Sequence, residues 1–68
     1  MSKRITHFFL KDIVASAEKI QQYTISMTFK EFLQNQLVID GVVRNLEIIG
    51  EAAKHISTEI RKQYPDIE

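Results

Sequence analysis

The chain has 68 residues, 44% hydrophobic and 26% charged, and its nine basic and nine acidic side chains cancel to a formal net charge of zero. That composition excludes disordered and fibrous classes, limits the chain to one small domain with a thin core, and offers no general electrostatic grip on a polyanion. With no Cys there are no disulfides and no thiolate metal sites; no window reaches the length of a membrane span, and Lys11 and Asp12 interrupt the N-terminal apolar stretch short of signal-peptide length, so we expect a cytoplasmic protein.

From Arg4 to about Tyr23, Ile5, Phe9, Ile13, Ala17 and Ile20 recur at three- and four-residue steps with Leu10 alongside, while Lys11, Glu18 and Gln22 fall opposite. This predicts an amphipathic helix. Thr28-Phe29-Lys30-Glu31 is a capping-box pattern, in which the Thr hydroxyl accepts from the amide of the Glu and the Glu carboxylate reaches back. It opens a short helix carrying Phe29, Phe32 and Leu33 that ends near Gln34. A third helix is predicted from Gln36 or Leu37 to about Gln63, with Val38, Val42, Ile49, Ala53, Ile56 and Ile60 as its stripe, Leu46 beside it, and Pro65 as its stop. No run alternates like a strand. The expected fold is all-α: an antiparallel helical hairpin with a short connecting helix, completed to a four-helix bundle by dimerisation.

At 100° per residue, Asp40, Arg44, Glu47, Glu51 and His55 gather on the side of the third helix away from its stripe, and so away from the expected hairpin core. Glu47, Glu51 and His55 at i, i+4 and i+8 would suit a bundle metal site only with ligands from another helix. His7, Asp12 and Glu18 of the first helix do not form the required Glu-x-x-His arrangement, so no metal is expected and the spacing is better read as a solvated face with Arg44–Glu47 and Glu51–His55 pairs. Gly50, which costs about 1 kcal/mol relative to Ala inside a helix, borders the stripe and is read as a point of close helix packing. Asn45 falls between Ala52 and Ile56 and should be partly buried with hydrogen-bond partners. Phe8 and Ile48 lie outside the apolar faces and are the candidates for a protein interface.

Three blocks, FLKDIVASAEKIQQYT, MTFKEFLQNQLVIDGVVRNLEIIGEAAKHIS and YPDI, cover most of the chain. Together they resemble the HepT-like branch of the HEPN superfamily, small helical proteins found beside minimal nucleotidyltransferases in toxin–antitoxin pairs. The resemblance implies a helical bundle that dimerises, cuts RNA without a metal or other cofactor, and is silenced when its partner transfers nucleotides to a tyrosine. The family's active motif is Arg, four to six residues, His, one residue, Tyr, on a helix beyond the YPDI segment. It does not occur in these 68 residues: ten residues separate Arg44 from His55, Ser57 stands where Tyr would follow, and Arg4 is too close to His7. No residue of this chain is therefore expected to be catalytic. By the same resemblance Arg44, Asn45, Glu47 and Glu51 would line or buttress the cleft next to the missing motif.

The resulting expectation is a truncated HepT-like protein without ribonuclease activity, acting as a homodimer or other helical oligomer and as a module that binds a partner such as a minimal nucleotidyltransferase antitoxin. The alternatives are a ribonuclease subunit that meets RNA only when another chain supplies the catalytic Arg and His, and an unrelated helical protein-interaction module.

Overall fold

The computed structural model describes residues 3–65. Three helices follow one another, α1 at Lys3–Thr24, α2 at Phe29–Leu33 and α3 at Gln36–Gln63, with no strand among the described residues. The final segment of the YPDI block after Pro65 lies outside the described residues.

The connector is built from side chains that close helix ends. Thr24 Oγ1 donates to the Ile20 carbonyl at 2.8 Å in the last turn of α1. The expected capping box is formed, with Thr28 Oγ1 accepting from the Glu31 amide at 3.1 Å and the Thr28 amide donating to Glu31 Oε1 at 2.8 Å. These bonds, the backbone one first, hold the Glu31 carboxyl below its ordinary value of 4.5. One residue after the Gln34 cap of α2, Asn35 caps α3, its Oδ1 accepting from the Val38 amide at 3.1 Å. Each such cap is worth about 1 kcal/mol, so the reversal of direction is specified locally. At the far end the Tyr64 amide donates to the Ile60 carbonyl at 2.9 Å, and Pro65 stops the helix.

α1 and α3 pack side by side as an antiparallel hairpin, and α2 rests against α3. Moving up α1 from Phe9 to Tyr23 corresponds to moving down α3 from His55 to Gly41, since Phe9 stacks on His55 and the Tyr23 ring lies over Gly41. The seam differs from the predicted stripes. On α1 it follows Thr6, Phe9, Ile13, Ser16, Ile20 and Thr24, leaving Ile5, Leu10 and Ala17 exposed. On α3 it follows Val38, Val42, Asn45, Ile49, Ala52 and Ile56, leaving Leu46, Ala53 and Ile60 exposed. A single neighbouring helix covers only a narrow strip that recurs every 3.5 residues or so, whereas the apolar arc of each sequence is wider, and its centre lies to one side of the strip.

Small residues occupy the tightest points. Among the described residues Ala52, Ser16 and Asn45 are the buried ones, at 3%, 3% and 4% exposure, and no large side chain is fully buried. Half-buried isoleucines such as Ile13, Ile20, Ile49 and Ile56 supply most of the apolar contact, each contributing on the order of 1 kcal/mol. Gly41 is the glycine that permits a close approach: a Cβ there would sit 3.1 Å from Tyr23 Cε2. At Gly50 a Cβ would meet nothing within 4 Å, so the expected tight packing is not made within this chain.

Candidate functional site

On one side of the seam α1 and α3 leave a concavity of about 440 Å³, lined by Phe9 and Asp12 of α1 and by Arg44, Glu47, Ile48, Glu51, Ala52 and His55 of α3. Its floor is apolar, made by Phe9, Ile48 and Ala52. Its rim is ionic. The Phe9 and His55 rings stack at a centroid distance of 4.6 Å with an interplanar angle of 6°, which fixes the imidazole against α1 and leaves its edge at the rim.

The polar group expected to point away from the hairpin therefore flanks the seam instead. Arg44, Glu51 and His55 lie roughly 100–140° round the helix from the middle of the seam, and their side chains reach back to the concavity whose opposite wall is α1. The correction has a simple origin: once the seam moves from Ile49–Ala53 towards Asn45–Ala52, everything on α3 rotates with it. Asp40 stays outside, taking a hydrogen bond from Gln36 Nε2 at 2.7 Å. Among the described residues, the expected pairs Arg44–Glu47 and Glu51–His55 are not formed; the ion pair seen on α3 joins Lys62 to Glu59 at 3.4 Å. Glu47, Glu51 and His55 share the concavity, yet among the described residues no three side chains of ligand type converge as a metal site would require.

Asn45 is set apart from the other three residues singled out by resemblance. It lies in the seam, where its Nδ2 donates to the Gly41 carbonyl at 2.8 Å and its Oδ1 is buried without a partner. Of the two interface candidates, Phe8 is 61% exposed on α1, while Ile48 is half-buried in the floor of the concavity. Sequence reasoning missed Phe9 and Asp12 as site residues. The signal was available in the hairpin register: a fold that sets Tyr23 over Gly41 must bring Phe9 to His55, and Asp12 one turn further on towards Ala52.

The rim carries three carboxylates, Asp12, Glu47 and Glu51, against one permanent cation, Arg44. It can hold an arginine or lysine side chain, or orient a guanidinium beside Arg44's own carboxylate neighbours. It cannot by itself receive a phosphodiester favourably, since the nearest charges are mostly negative.

The sequence model of the family described as Ribonuclease HepT-like matches residues 13–68 of this chain. A Methanocaldococcus jannaschii protein provisionally named RNase MJ1380 is 39% identical over 67 residues, spanning 98% of this chain and 62% of its own length. Another from the same organism, provisionally named RNase MJ1216, is 43% identical over 67 residues, spanning 98% of this chain and 55% of its own. In Thermococcus cleftensis a protein named "Probable ribonuclease HepT" is 37% identical over 65 residues, spanning 96% of this chain and 59% of its own. The chain thus spans a little over half the length of these relatives. No solved structure matches it.

Proposed function

Since the chain belongs to the HepT-like ribonuclease family, we propose that it forms the supporting half of that family's RNA-cleaving site and does not cleave RNA by itself. The charge of the cleft carries this reading. Three carboxylates facing one arginine suit a site whose remaining cations come from elsewhere, because only added basic groups would turn the rim from repelling a phosphate to holding one. The Arg and His of the family motif are such groups, and the 68 residues do not contain them in motif spacing. Asp12, Glu47 and Glu51 would pair with and orient them, while Arg44 would remain to meet the scissile phosphate, as metal-free cleavage needs.

In this reading the chain acts in the cytoplasm within a toxin–antitoxin pair, through binding to a minimal nucleotidyltransferase or to a longer family member. No helix among the described residues is long and apolar enough to cross a membrane. Purified protein incubated with single-stranded RNA and with tRNA in chelator should give no cleavage above background. Cleavage that follows the protein peak and is lost in Arg44→Ala would overturn the proposal. Supplying a longer HepT-like relative that keeps its own Arg and His motif but has its counterpart of Arg44 replaced provides the converse arm: activity restored only in the mixture favours a shared site.

A further inference from the structure

We draw no further inference here: the strongest candidate, the basic hollow at the open end of the hairpin lined by Lys3, Arg4 and His7 of α1 and by Ile60 and Gln63 of α3, carries none, because nothing in the structure shows what covers it in a chain that spans a little over half the length of its relatives.

Discussion

Asn45 sets the chemistry of the seam at the scale of one residue. At 4% exposure its amide nitrogen is bonded to the Gly41 carbonyl, but its Oδ1 has no donor. The Gly41 carbonyl already serves the backbone of its own helix, so the side-chain bond adds little, while the unmet acceptor costs about 1–3 kcal/mol. Asn45→Leu, nearly equal in volume, is expected to raise the unfolding free energy by about 1 kcal/mol. Urea titration at one fixed protein concentration checks this, and a loss of stability would mean that Oδ1 is satisfied in the assembled protein. Partial burial of Asn45 was legible from its place between Ala52 and Ile56 on the helical wheel. Its orphaned oxygen was not, because that depends on which groups of α1 come opposite, and only the register decides it.

The two glycines of α3 make the same distinction at the scale of an element. Both cost helix propensity, yet Gly41 accommodates the Tyr23 ring and Gly50 faces open space within the chain. Gly50→Ala should therefore stabilise the protein by about 1 kcal/mol, the gain expected from propensity alone. Gly41→Ala should be close to neutral or unfavourable, because the new methyl must displace the Tyr23 ring that lies over it. Thermal melts of both variants at equal concentration test the contrast. In the sequence the position of all three helices could be read, since caps, apolar spacing and Pro65 are local signals. The side turned to the neighbour could not. Leu10, Leu46, Ala53 and Ile60 look like core by spacing, and the hairpin leaves them exposed; periodicity reports every face the chain is built to cover, and a single helix covers only part of it.

The same difference explains what could and could not be read about the whole molecule. An all-α hairpin follows from three periodic segments and a capped connector, whereas the cleft between Asp12 of α1 and Arg44, Glu51 and His55 of α3 arises only when two distant segments are set in register. Arg44, Glu47 and Glu51 were singled out by the family resemblance, and all three line this one concavity. Asp12 and Phe9 needed the third dimension.

The double cap in the connector has a consequence in time. Thr28, Glu31 and Asn35 fix the turn through bonds that span three residues each, before α1 and α3 need touch. Contacts between the helices then form outward from that point, Tyr23 with Gly41 first and Phe9 with His55 last, like a zip closed from its stop. Such a hairpin should pass its transition state with the connector already native and the open ends still loose. Stopped-flow refolding should show Thr28→Ala and Asn35→Ala slowing the folding limb, whereas Phe9→Ala accelerates unfolding instead. Acid should act like the first of these. Because the folded-state value of Glu31 lies below its ordinary 4.5, its contribution is complete above that value and fades as pH falls through the lowered one, so refolding should slow there in the parent chain and less in Glu31→Gln.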